Sequence, residues 1–171
     1  SAVWANGSFF QLAPVFGIDK DLGTKKCIGK YVNPVTEGTF AMEDTPNIGE
    51  SMVENPGVYC KSASVSVLAA NGKTPLITLN QFGAGKAMYL SSFRVSKEST
   101  RFLMRALLTL LGKEDKVRDY ICDNLYTECA YYEEIDKLVV INNSGDTQKT
   151  VIKTAKGDVT VELAPFATKV L

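Results

Sequence analysis

The sequence predicts an α/β unit followed by a small all-β antiparallel sandwich or barrel, and three observations carry that reading. Alternating apolar residues lie on both sides of Asn71-Gly72. An amphipathic segment runs from Ser96 to Leu111. After Gly112 the chain turns into short strand-like segments separated by polar turns.

The elements follow in chain order. Ser8 is placed to cap a short helix from Phe9 to about Phe16, with Phe9, Leu12, Ala13 and Phe16 on one face and Gly17 at its stop. Between Lys30 and Pro56 the pattern dissolves into a long irregular segment punctuated by Pro34, Pro46 and Pro56 and by Gly38 and Gly49. It carries Glu37, Glu43, Asp44, Glu50 and Glu54 and no basic residue between Tyr31 and Cys60. A loop of that length is either functional or poorly ordered.

Regular structure returns at Val58. Residues 64–69 alternate with period two, Asn71-Gly72 predicts a type I′ hairpin turn, and Pro75 to Gln81 is the return strand. Gly83-Ala84-Gly85 makes a further turn into a third strand, Lys86 to Ser91. Ser96 caps the long helix, whose apolar stripe reads as Phe102, Leu103, Ala106, Leu107, Leu110 and Leu111, ended by Gly112. A charged bridge, Lys113 to Asp119, separates the two units, with the boundary at Lys116: 1–116 for the α/β part and 117–171 for the β part. Five strands are expected there, at 128–132, 138–142, 149–154, 159–163 and 168–171.

Composition narrows the function classes. Nineteen Lys and Arg balance nineteen Asp and Glu, so no global field draws nucleic acid or an anionic membrane. No apolar run approaches the ~20 residues of a membrane span. The first seven residues lack the charged start and apolar core of a signal peptide, so the sequence reads as the middle of a longer chain in the cytoplasm. Cys27, Cys60, Cys122 and Cys129 form no C-x-x-C pair and read as reduced thiols. The chain has no histidine, which excludes Ser-His-Asp and Cys-His catalysis from its own residues.

Four features invite chemistry, each with a plainer reading beside it. Gly83-Ala84-Gly85-Lys86 suggests a phosphate loop, but such a loop must open a helix and here a strand follows, which favours a hairpin turn. Lys97, Arg101 and Arg105, with Arg94 upstream, form a basic ridge able to hold phosphate or sugar hydroxyls, or else a solvated or inter-domain helix face. The acidic stretch from Glu37 to Glu54 could supply an acid and a base, or be a solvated loop. Asn142-Asn143-Ser144 matches a glycosylation sequence but sits where a turn is expected.

Several strings in order resemble the C-terminal part of the lacto-N-biose/galacto-N-biose phosphorylase family. They are Gly7-Ser8-Phe9-Phe10-Gln11-Leu12-Ala13, then Val15-Phe16-Gly17-Ile18-Asp19, then Gly83-Ala84-Gly85-Lys86 leading into Met88-Tyr89-Leu90-Ser91. Thr100-Arg101-Phe102-Leu103 and Val140-Ile141-Asn142-Asn143 follow. The resemblance implies a parent with an N-terminal (β/α)8 barrel, a middle domain like class I glutamine amidotransferases with flavodoxin-like layering, and a C-terminal β domain. It implies phosphorolysis of β-1,3-galactosyl-N-acetylhexosamine to galactose 1-phosphate with inversion, phosphate being a substrate rather than a cofactor. A barrel takes about 250 residues, so the general acid and sugar contacts would lie outside this chain. The reading therefore assigns no catalytic, cofactor or metal residue here. The expected partners are the upstream barrel and a second copy of the chain. A carbohydrate-binding module is the alternative, and an independent hydrolase using the loop carboxylates is the third reading.

Overall fold

The structure is a computed structural model, and it describes residues 4–5, 9–21, 29–117 and 119–171. The chain divides into two compact units, residues 1–111 and 112–171. Among the described residues every paired strand is antiparallel apart from one isolated parallel bridge, Val35 with Val67. The protein is thus mostly β-sheet with few helices, and the flavodoxin-like layering expected of the first unit is not seen among these residues.

Unit 1 begins with a two-residue pairing of β1 (Trp4–Ala5) and β2 (Phe9–Phe10), followed by α1 (Ala13–Phe16). The helix expected from Phe9 is therefore only its last turn. Pro14 explains the difference, because proline suits the first turn of a helix but breaks its interior. Ser8, the expected cap, lies outside the described residues. Gly17 ends α1 at φ +66°, and a Cβ there would come within 2.5 Å of Val65 and 2.8 Å of Asn80, so both conformation and space demand glycine.

After α1, β3 (Ile18–Lys20) pairs with β4 (Val58–Cys60). The main sheet is β5 (Ser66–Asn71), β6 (Thr74–Phe82) and β7 (Gly85–Leu90), in that order. Residues 77 and 79 of β6 stand opposite Leu90 and Met88, while Thr78 stands opposite Tyr89 and Val67. Strand alternation then sends Ile77, Leu79, Met88 and Leu90 to one face and Val67, Thr78 and Tyr89 to the other. The first face packs on Phe102 and Ala106 of α2 (Lys97–Leu111) and on Ala41, Met42, Ile48 and Met52 of the irregular segment. On the second side Tyr89 clusters with Ala13, Ile18 and Val58, and the Asn80 side chain donates to the Pro14 and Val15 carbonyls at 3.3 and 2.8 Å.

Two expectations about unit 1 need correction. Asn71 pairs with Thr74 inside the ladder, so the hairpin loop is Gly72-Lys73, with Gly72 at φ +55° and neither Asn71 nor Lys73 at positive φ. That is the backbone signature of a type II′ rather than a type I′ turn. The stripe assigned to the core side of α2 holds for Phe102 and Ala106 but not for Leu103, Leu107 and Leu111. Ser99, Phe102, Arg105, Ala106 and Thr109 are buried, whereas Leu103, Leu107 and Leu111 are exposed together with Met104.

Unit 2 is a sandwich of two three-stranded sheets. β8 (Ile121–Cys122), β11 (Gln148–Lys153) and β12 (Val159–Leu163) form one; β9 (Thr127–Tyr132), β10 (Lys137–Asn142) and β13 (Thr168–Val170) form the other. Leu138 and Val140 from β10 meet Cys122, Ile152, Val161 and Leu163 from the opposite sheet. Their positions at every second residue are what aligned sheet-on-sheet packing requires. Asn142 is a polar hub at 1% exposure: its amide donates to the Asp146 and Ala164 carbonyls at 2.7 and 2.9 Å. Its carbonyl accepts from the Ser144 N–H and hydroxyl, both at 2.9 Å.

Candidate functional site

The two charged features singled out in the sequence, the acidic segment and the basic helix ridge, are brought together. The segment covers the sheet through short 3-10 turns at Phe40–Met42 and Ile48–Ser51, whose apolar members Ala41, Met42 and Ile48 are buried. It is therefore a core-covering strap rather than a solvated loop. Burying those three fixes the carboxylates between them against α2. Asp44 accepts from Arg101 Nη1 at 3.1 Å and from Arg105 Nε at 2.9 Å, and also pairs with Arg105 Nη2. Glu43 accepts from Arg105 Nη1 at 3.0 Å. The Arg105 guanidinium lies 4.5 Å from the Phe40 ring centroid and is only 3% exposed.

This arrangement is a clamp. A buried guanidinium is tolerable only when it is paired and hydrogen-bonded, and here Asp44 Oδ2 takes the Arg105 Nε and Nη2 donors while Glu43 Oε2 takes Nη1. Glu54 is engaged too, accepting from Asn71 Nδ2 and Thr74 Oγ1 at 2.9 Å each, which ties the strap to the hairpin. Glu37 and Glu50 are exposed. Arg94 is exposed, and Lys97 sits 3.6 Å from Glu98 Oε1.

Elsewhere, Glu98 and Asp136 have carboxyls held below their ordinary range. Glu98's own backbone N–H does so first, with the Ser96 hydroxyl second; for Asp136 it is the Tyr131 hydroxyl, then Lys156. Both move opposite to the upward shift that an acid catalyst needs. Among the described residues no three His, Cys, Asp or Glu side chains converge in a way that could hold a metal ion. Burial pushes the Cys60 thiol up, away from the thiolate form a nucleophile requires. Cys27 lies outside the described residues.

Lys86, the cation of the would-be phosphate loop, donates to the Thr109 carbonyl at 3.2 Å in the last turn of α2. That is where a cation complements the helix dipole. With strands on both sides of Gly83-Ala84, the glycines serve a hairpin. In the glycosylation-like sequence, Asn142 ends β10 buried with its amide donated to backbone carbonyls, so it is not an accessible acceptor. Tyr120 and Tyr131, which the sequence separates by eleven positions, stack at 4.1 Å and 4° between planes, and the Tyr131 hydroxyl donates to Asp136 at 2.7 Å. Tyr120 and Asp136 both hold positive φ to do so, at 61° and 47°. Nothing in the local sequence announces this pair, since neither residue carries a motif.

Residues 1–115 match the lacto-N-biose phosphorylase central domain, and residues 120–171 match the lacto-N-biose phosphorylase C-terminal domain. The chain belongs to the lacto-N-biose phosphorylase family. It is 32% identical, over its whole length, to 23% of a D-galactosyl-β-1→4-L-rhamnose phosphorylase of Lachnoclostridium phytofermentans. It is 31% identical, over 89% of its length, to 21% of a 1,3-β-galactosyl-N-acetylhexosamine phosphorylase of the same organism. A 1,3-β-galactosyl-N-acetylhexosamine phosphorylase of Bifidobacterium longum is 28% identical over 88% of the chain and 24% of its own length. The chain thus spans a quarter or less of these relatives. No helix among the described residues is long and apolar enough to cross a membrane.

Proposed function

We propose that this chain is the non-catalytic C-terminal part of an inverting glycoside phosphorylase and that it buttresses the catalytic barrel and subunit contacts of the parent. The parent would cleave a β-galactoside, β-1,3-galactosyl-N-acetylhexosamine in the first instance, with inorganic phosphate to give galactose 1-phosphate. The observation that carries this reading is the ordered match to a central and then a C-terminal phosphorylase domain, on a chain about a fifth to a quarter as long as the relatives. The Arg105 clamp supports it, because the chain's most prominent cluster of charge is spent on its own fold. The first unit is read as the closing part of an amidotransferase-like domain that has no amidotransferase chemistry of its own, since the chain lacks histidine.

A sugar-binding module fits less well. Tyr120 and Tyr131 cover each other's faces, so the paired surfaces are closed to a pyranose ring. The test is to clone the full reading frame around this chain and assay its product against galactosyl-N-acetylhexosamine and galactosyl-rhamnose with phosphate. Release of galactose 1-phosphate by the whole product supports the reading. A reading frame that encodes nothing ahead of residue 1, or a product inert on both sugars, contradicts it.

A further inference from the structure

The long helix of unit 1 buries Phe102 and Ala106 yet also presents apolar residues outward. Around α2, Ser99, Phe102, Arg105, Ala106 and Thr109 face the sheet and strap. The opposite side carries Thr100, Leu103, Met104, Leu107 and Leu111, with Leu107 at 52% and Leu111 at 68% exposure. Lys97, at the first turn, is the charge on that side. A helix that buries an arginine and exposes leucines has two partners, one for each face. A helix facing solvent on its outer side carries polar residues there, and clustered exposed apolar groups mark interaction surfaces.

We propose that the outer face of α2 docks onto the polypeptide that the phosphorylase reading frame encodes ahead of residue 1, through an apolar counter-surface. This rests on the reading of the chain as part of a longer phosphorylase. Two considerations select that occupant over a second copy of the chain. The stripe offers on the order of a few hundred Å² of apolar surface, the size of a single patch. A free-standing interface of standard size needs ~800 Å² from each partner. A covalently attached neighbour needs far less, because tethering replaces a bimolecular association with an intramolecular one. In addition, relatives about four times as long as this chain supply such a neighbour. The near absence of charge on the stripe fixes its chemistry: the counter-surface is apolar, and a carboxylate placed between the two would be desolvated without a partner.

The experiment uses this chain and the polypeptide encoded ahead of residue 1 in the same reading frame, produced separately and mixed. Leu107→Glu weakens their association at least about tenfold, the cost of burying one unpaired carboxylate. Val53→Glu, at an exposed apolar position outside α2, leaves it unchanged. The isolated Leu107→Glu chain melts within a few degrees of the wild type, since the face is open there. As a second measurement, peroxide oxidises Met104 at least about tenfold more slowly in the full-length product than in the isolated chain, because a buried thioether is shielded. Unchanged association of the Leu107→Glu chain, or equal Met104 oxidation in both, overturns the docking while leaving the functional reading intact. A wild-type chain that sediments as a dimer dissociated by Leu107→Glu assigns the face to a second copy instead. Unfolding of the isolated variant shows that the chain itself covers the face. A reading frame with no phosphorylase sequence ahead of residue 1 removes the functional reading first.

Discussion

Replacing Asp44 should be more damaging than replacing the arginine it holds. Asp44 is mostly buried and accepts from two guanidinium groups, Arg101 and Arg105. Asp44→Asn leaves Arg105, at 3% side-chain exposure, with Glu43 alone, and Glu43 is half exposed. Breaking a buried pair by removing one partner costs about 3–5 kcal/mol, and the remaining Glu43 puts Asp44→Asn near 3 kcal/mol. Arg105→Met substitutes an apolar stem of similar length beneath Phe40, while Asp44 keeps Arg101 and Glu43 turns to water. Its cost should be about 1–2 kcal/mol, since apolar replacement of a buried charge is far milder than orphaning one. The assay is urea unfolding followed by far-ultraviolet circular dichroism, with hydrogen exchange of the α2 amides locating the change in unit 1. An Arg105→Met chain less stable than Asp44→Asn, or two variants within about 0.5 kcal/mol of each other, refutes the clamp as the element that fixes the strap, because a difference that small lies within the roughly 0–1 kcal/mol of an ordinary surface pair.

Gly72→Val should cost about 1–2 kcal/mol by the same assay, because φ +55° strains a β-branched residue although a Cβ there meets open space; an unchanged midpoint contradicts the turn. Asn142→Ala should destabilise unit 2 by about 2–4 kcal/mol, since it strands the Ser144 donors and two carbonyls around a buried position; a loss under 1 kcal/mol would show that water replaces the hub. Tyr131 should ionise well above the ordinary tyrosine range, because its hydroxyl donates to Asp136 and only the neutral phenol can do so. A phenol pKa raised in the folded state contributes stability that is present below the unfolded value and lost as pH rises through the folded one. Absorbance titration should therefore show a late-titrating tyrosine that Asp136→Asn returns toward the ordinary range, whereas Tyr89, pushed up by burial, is unmoved by that substitution. Asp136 carries the opposite sign: its carboxyl is depressed, so its contribution is present above the unfolded value and lost as pH falls through the folded one.

The sandwich was largely legible in the sequence, because apolar residues at every second position, Leu138 with Val140 and Val161 with Leu163, leave one register that buries them. The existence and ends of α2 were legible for a similar local reason. Ser96 accepts from the Ser99 N–H at 3.1 Å, and Gly112 takes φ +60°. Its facing was not. Phe102, Leu103, Ala106, Leu107, Leu110 and Leu111 wrap too much of the helix for periodicity to choose a side. The choice is made by Arg105 meeting Asp44 across 61 residues, a contact no local window contains. The strap hid for the same reason: prolines and glycines read as loop, while Ala41, Met42 and Ile48 become core only once the sheet exists to receive them. Both charged features were visible individually, and their mutual neutralisation became visible only in three dimensions.

The most direct test of the central claim, that this chain lacks phosphorolytic machinery of its own, is a turnover measurement on the isolated 171-residue protein. Purified chain is incubated with galactosyl-N-acetylhexosamine, or with galactosyl-rhamnose, and inorganic phosphate, and galactose 1-phosphate is quantified over time. The account predicts no release above a protein-free control. Turnover at an ordinary enzymatic rate, about 1 per second or more, that survives repeated purification would contradict it.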